Sequence, residues 1–358
     1  MNNILLAFVV WLCLAPFPHL YAGEHPEATQ KLIDKILADM RHDLSLGNTE
    51  KARNSLQSAA DNFHSVELEL GLIQPLMQAG LYRNALSAAA HTQAEHPANS
   101  DATILYAWLL AIGGQIKPAI QLLSKNQQEH PQIKAVAHLL NQCQTAKFST
   151  APIASEVIQL RPYTPTQSIV PPSSRYVSTG VIIDNGKRLL APLKAVEQAR
   201  VLKARTSLGH ELSLHIEKKI THANVAILKL DKPILLKRPL AVENKKTYPG
   251  TPIYIIGFTA SDNRQAAWPL LKVDILGTPA TDTLAYPIHL TDAAMGSPIL
   301  NQRGNLIGIV NGASDMVLLN DGIITTGQAG DHISSLNETI DGLYEKALGN
   351  TVQILSGD

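Results

Sequence analysis

Cysteine is nearly missing: Cys13 and Cys143 are the only two in 358 residues. Cys13 follows Trp11-Leu12, not the small residues that a lipidation signal needs, and it falls in an N-terminal apolar segment. Once that segment is removed, Cys143 stands alone, so no intrachain disulfide can form and the cores must hold the fold. Surplus charge is missing too. Basic and acidic side chains both number 30, so no bulk field draws the chain to nucleic acid or to an anionic membrane. The basic pairs Lys218-Lys219 and Lys245-Lys246 are too sparse for a nucleic-acid surface and read as solvated turns. Cofactor signatures are absent as well. Lys187 follows Gly186 in a hairpin turn without the context of a phosphate loop. Asp101 and Asp292 have no paired carboxylate. His210 and His215, on one expected strand, point to opposite faces and suit no shared metal. These gaps imply no metal, no small-molecule cofactor and no nucleic acid.

One apolar run stands out, residues 4–17, followed by Pro18 and by Leu20-Tyr21-Ala22 before Gly23. It is short of the roughly 20 residues of a stable span, and residues 1–22 read as a cleaved secretory signal. A periplasmic location follows. The alternative is a retained inner-membrane anchor facing the periplasm, the one case in which the membrane is a partner.

Residues 23–146 carry a helical, repetitive pattern. Gly80 and Gly114 stand 34 residues apart, as do Ala85 and Ala119, and His96-Pro97 and His130-Pro131. Gly47 and Ala52 form an earlier copy. Glycine suits a turn that needs positive φ, alanine a close helix crossing, and proline a helix stop. The interval resembles a tetratricopeptide array, two antiparallel helices per repeat, with residues 132–144 as the capping helix. Such stacks hold peptides or helices on a concave face and carry no chemistry.

Residues 147–175 break the pattern with Pro152, Pro162, Pro165, Pro171 and Pro172 among serine and threonine, the composition of a semi-extended tether. Part of it, residues 153–160, is apolar enough to dock as a strand. Beyond residue 176 the periodicity is that of short strands with turn signals such as Asp184-Asn185-Gly186 and Asn301-Gln302-Arg303-Gly304. Two sets of strands are expected within 176–326. A helix over 331–348 follows, with Asp331 as N-cap and the stripe Ile333, Leu336, Ile340, Leu343 and Ala347. Residues 349–358 read as a tail. The expected architecture is multidomain: an all-α tetratricopeptide-like array, then an all-β double barrel over 176–348 with a C-terminal helix.

Four segments of residues 176–327 resemble trypsin-like serine proteases of the bacterial Deg type. Ser178-Thr179-Gly180-Val181 is similar to their opening Gly-Ser-Gly strand, and Leu189-Leu190-Ala191-Pro192-Leu193 to the approach to the catalytic histidine. Asn224-Val225-Ala226-Ile227-Leu228-Lys229-Leu230 resembles the strand that begins with the aspartate. Thr291-Asp292-Ala293-Ala294 and Gly296-Ser297-Pro298 resemble the frame of the nucleophile loop, followed by Ile299-Leu300 and an apolar strand over 306–310.

The resemblance implies a chymotrypsin-like double barrel whose triad positions hold Lys194, Asn224 and Met295. A working triad needs an imidazole to take the serine proton and a carboxylate to orient it. A thioether has no proton to lose, an amide no charge, and a lysine is protonated at neutral pH unless desolvated. If Asp292-Ala293-Ala294 anchors the match, the turn that forms the oxyanion hole is deleted; if Pro298 anchors it, the turn persists with Ala293 and Ala294. The nucleophile is lost in both registers. The implied function is an exported pseudoprotease that binds or scaffolds protein or peptide through the repeat groove and the old cleft. The alternative is an active serine hydrolase with Ser297 as nucleophile and Lys194 or His222 as base. Ser297 stands two residues past the nucleophile position, where its side chain is expected to face elsewhere.

Overall fold

The computed structural model describes residues 26–145, 161–243, 245–258, 266–279, 285–288, 294–312, 314–319 and 336–357. Residues 1–22 and 153–160, expected to hold a signal and a docking strand, lie outside the described residues.

Seven helices come first: α1 (Pro26–Ser45), α2 (Thr49–Phe63), α3 (Val66–Gln78), α4 (Tyr82–Glu95), α5 (Ser100–Ile112), α6 (Ile116–Glu129) and α7 (Lys134–Gln144). Gly47, Gly80 and Gly114 stand in the α1–α2, α3–α4 and α5–α6 turns with φ of 81°, 74° and 82°, backbone that glycine adopts at no steric cost. Ala52, Ala85 and Ala119 are each fully buried where neighbouring helices cross.

The second half builds two antiparallel sheets. β1 (Arg175–Ile183), β2 (Arg188–Pro192), β3 (Val201–Thr206), β4 (Glu211–Ile220), β5 (Val225–Leu230) and a distant strand, β12 (Thr351–Gly357), close a barrel in the order β1-β12-β3-β4-β5-β2. A one-turn helix, α8 (Leu193–Val196), follows β2. The second sheet runs β7-β6-β9-β10-β11-β8, from β6 (Pro252–Gly257), β7 (Leu270–Ile275), β8 (Ala285–Pro287), β9 (Pro298–Leu300), β10 (Leu306–Val310) and β11 (Asp315–Leu318). Just past β7, the Gly277 amide donates to the Pro287 carbonyl at 3.1 Å, which joins the β7 and β8 sides of this sheet. The layout is a helical array followed by the two six-stranded sheets of a chymotrypsin-like double barrel, with helix α9 (Ile340–Leu348) after them.

Two expectations need correction. Thr351–Gly357 is no tail: its burial is nearly complete and it pairs with β1 and β3 through most of its length. Its alternation, with Val352 and Ile354 in the barrel core, is too short to separate from a tail by pattern alone. The last helix starts at Ile340 behind the extended residue Thr339, not in the expected first turn, and Leu336 is 78% exposed. Asp331 and Ile333 lie outside the described residues.

The helical array also packs against the second half. α3 is buried from Leu68 to Gln78, and α5 at ten of its thirteen residues, the signature of a helix covered on all sides. What covers them is the rest of the chain. Gln74 donates to the Arg161 carbonyl at 2.7 Å, and the Gln78 amide exchanges hydrogen bonds with both backbone groups of Tyr163 while also donating to Leu208. Trp108 of α5 meets Trp268 edge-on at 5.8 Å, and Tyr82 of α4 meets Tyr344 of α9 at 4.5 Å. All four rings are fully buried. One hydrophobic cluster therefore runs from α1 through α5 into the second sheet and α9. The segment 161–174 and these aromatic contacts fuse the two halves, and a cavity of about 320 Å³ remains beside α3, lined by Glu69, Leu72 and Leu76 with His64 and His91.

Candidate functional site

The positions singled out in the sequence meet where the two sheets adjoin. β2 ends in Pro192, and α8 carries Lys194 into solvent. Opposite it, the turn Thr221–Ala223 ends on Asn224 with φ 51° and ψ 41°, left-handed backbone that asparagine tolerates better than most residues. That bend aims the Asn224 side chain at α8. Its carbonyl accepts from the Leu193 amide at 2.9 Å, and its Oδ1 accepts from the Lys194 amide at 2.9 Å.

The backbone donor fixes which way the Asn224 amide points. Its Nδ2 must then donate, and it meets Asn311 Oδ1 at 2.8 Å; Asn311 Nδ2 in turn donates to the Ala223 carbonyl at 3.3 Å. This chain of neutral amides ties the first barrel to the end of β10 in the second sheet. Sequence reasoning did not single out Asn311. The available signal was an Asn-Gly pair directly after an apolar strand, which reads first as a turn.

Met295-Gly296 closes the same junction. The Thr179 amide donates to the Met295 carbonyl at 2.9 Å, and the Gly296 amide to Val310 at 2.8 Å. Gly296 has φ 85°, and a Cβ there would stand 1.9 Å from the Thr179 carbonyl oxygen and 2.9 Å from Pro192 Cδ. Only glycine fits so close an approach. Lys194, Asn224 and the Met295-Gly296 backbone are thus neighbours, on either side of Pro192. Thr291, Asp292 and Ala293 lie outside the described residues.

Ser297 is different. It is fully buried, and a Cβ on Gly257 of β6 would lie 1.8 Å from its Oγ. The hydroxyl therefore presses on β6 while Lys194 faces water. His222 is exposed in the turn beside Asn224. Of the two other histidines, His210 sits in the turn before β4, not on the expected strand, and His215 pairs with Asp231 at 3.2 Å. Chemically, the junction offers an exposed ammonium, a chain of neutral amides and a thioether.

A larger cleft, about 970 Å³, lies between the helix turns at Gly47 and Gly80 and the first barrel, with Leu208, Leu235 and Lys237 on its walls. On its wall Glu345 is held by Arg238 at 2.9 Å and Arg83 at 3.2 Å. Burial pulls the neighbouring Lys346 ammonium below its usual pKa, against the opposing pull of Glu338.

Comparison with protein-family models and with curated proteins gives no match. Among solved structures, the MamO protease domain from Magnetospirillum magneticum is 17% identical, with 45% of this chain and 98% of that chain covered and a TM-score of 0.34. Deg5 is 15% identical over 44% of this chain and 91% of its own, at 0.33. The HtrA-type protease AlgW, solved with a decapeptide, is 15% identical over 40% of this chain and 47% of its own, at 0.34. No helix among the described residues is long and apolar enough to cross a membrane. The solved structures named here are HtrA-type and Deg protease domains, and this chain sets its two six-stranded antiparallel sheets behind a helical array.

Proposed function

We propose that this chain is an exported, non-hydrolytic relative of trypsin-like proteases that binds extended protein segments, with Lys194, Asn224 and Met295 at the former triad positions. The observation that carries this reading is the amide chain through Asn224. The Lys194 amide and Asn311 Oδ1 require an acceptor and a donor from residue 224, which an amide supplies and a carboxylate does not. If Asn311 flipped to serve a carboxylate, its own oxygen would face the Ala223 carbonyl. The site is built around a neutral group where a triad needs a charge. Burial of Ser297 against Gly257, with Lys194 in solvent, supports the same reading over a Ser297–Lys194 or Ser297–His222 hydrolase.

The binding role is assigned to the sheet junction, where an extended segment can add to strand edges. The helix pairs, tetratricopeptide-like in their interval, act as a fused support. A periplasmic location rests on the signal-like residues 1–22. The test is incubation of the full chain with unfolded casein: binding without fragments is expected, and the same for Ser297→Ala. Turnover that Ser297→Ala abolishes would overturn the proposal.

A further inference from the structure

The two sheets share one topology only if β12 is counted as the strand before β1. In chain order the second sheet runs β6 to β11, and around it the strands follow β6-β7-β8-β11-β10-β9. The first barrel, taken the same way, reads β12-β1-β2-β5-β4-β3. Consecutive strands β1 to β5 fill five of its places. The first place, between β1 and β3, is taken by a strand from beyond the second sheet, antiparallel to both neighbours, as β6 is to β7 and β9.

That place is shaped for its occupant. Ile354 enters the barrel core, and the bare Gly180 of β1 makes room for it: a Cβ there would stand 2.7 Å from Ile354 Cδ1. Asn350 sets the strand's entry, donating to the carbonyls of Arg238 and Lys346 at 2.8 Å each and accepting from the Ile182 amide. The preceding helix is anchored elsewhere. Tyr344 donates to the Pro269 carbonyl at 2.7 Å, and Glu345 holds Arg83 of α4. α9 sits on the helical array and the second sheet and holds Arg238, in the segment after β5, at 2.9 Å, while β12 pairs with β1 and β3 of the first barrel. Its partners in β1 and β3 lie well over a hundred residues away in sequence, whereas β1 to β5 pair locally. Loop closure makes such distant pairing the slow step.

We propose that the space between β1 and β3 is a strand-acceptor groove, and that β12 fills it as a separable ligand, docking after β1–β5 and the α9 anchor have formed. The groove selects an antiparallel strand with an aliphatic side chain, that of the residue paired with Ser178, reaching over the bare Gly180.

The test uses the folded full chain carrying a cleavable sequence inserted between Leu348 and Gly349, cut after folding. A labelled peptide of residues 350–357 should then exchange into the groove, raising its fluorescence anisotropy. The same peptide with Ile354→Asp should bind roughly 30-fold more weakly or worse, the affinity equivalent of one buried isoleucine. In the uncut chain, pulse-labelled hydrogen exchange during refolding should show the β1, β3 and β12 amides that pair across the groove gaining protection together, after α3 and α5. Failure of the native peptide to exchange, equal binding of the two peptides, or protection of β12 before the helices would each overturn the proposal.

Discussion

Replacing Trp268 by alanine tests whether the helices and the sheets form one cooperative body. Trp268 precedes β7, is fully buried, and meets Trp108 of α5 edge-on at 5.8 Å with planes inclined by 63°. Removing a buried tryptophan costs about 3–5 kcal/mol in lost transfer and a residual cavity. Trp108→Ala should cost about the same. Because the rings touch each other, the double variant should fall short of the sum by about 0.5–1.5 kcal/mol, the worth of an aromatic pair. Neither indole N–H has a hydrogen-bond partner among the described residues. Phenylalanine at either position should therefore cost far less than alanine, since it keeps an aromatic contact and removes an unsatisfied donor. The assay is urea unfolding followed by far-ultraviolet circular dichroism, which reads the helices. With a slope of about 3 kcal/mol per molar, Trp268→Ala should lower the midpoint of the helical transition by roughly 1–1.7 M. If the helices melt at an unchanged midpoint, or if the two alanine costs add in full, the single-core account is wrong.

Other consequences follow from named contacts. Asn224→Asp should destabilise the chain by about 1–3 kcal/mol at neutral pH, because a carboxylate faces Asn311 Oδ1; the loss should shrink on acidification as the new carboxyl protonates and regains a donor, measured as unfolding free energy against pH. Gly180→Ala should cost about 1–3 kcal/mol from overpacking against Ile354, and Ile354→Val should recover part of it in thermal melts. The Cys143 thiol is buried and its pKa is pushed up to about 11. Little thiolate is present at neutral pH, so alkylation should be slow in the native protein and fast in denaturant.

What could be read from sequence was what is local. Gly47, Gly80 and Gly114 mark their turns because positive φ restricts the choice of residue at a single position. A short apolar run likewise marks the strand Val225–Leu230, buried everywhere but at Lys229. Contacts between distant segments left weaker traces. β12 needs β1 and β3 to be recognised as a strand, and seven residues without a turn signal do not announce a partner so far away. The burial of α3 and α5 left no local pattern, because it is made by Tyr163, Leu208 and Trp268 from distant segments. At the candidate site, Lys194, Asn224 and Met295 were singled out from their neighbouring sequence, and the fold brings their segments to one junction. Asn311 was not, because its role exists only once the second sheet brings it to Asn224. The start of α9 was misplaced because Ile333 and Leu336 continue a helical spacing that the backbone at Thr339 does not keep.

The most direct measurement of the central claim is labelling of the purified full chain with a serine-reactive fluorophosphonate, read by intact mass, with Ser297→Ala alongside. The account predicts no adduct on either protein, because Met295 has no nucleophile to offer and Ser297 Oγ is sealed against Gly257. A single stoichiometric adduct on the native chain, lost in Ser297→Ala, would contradict it.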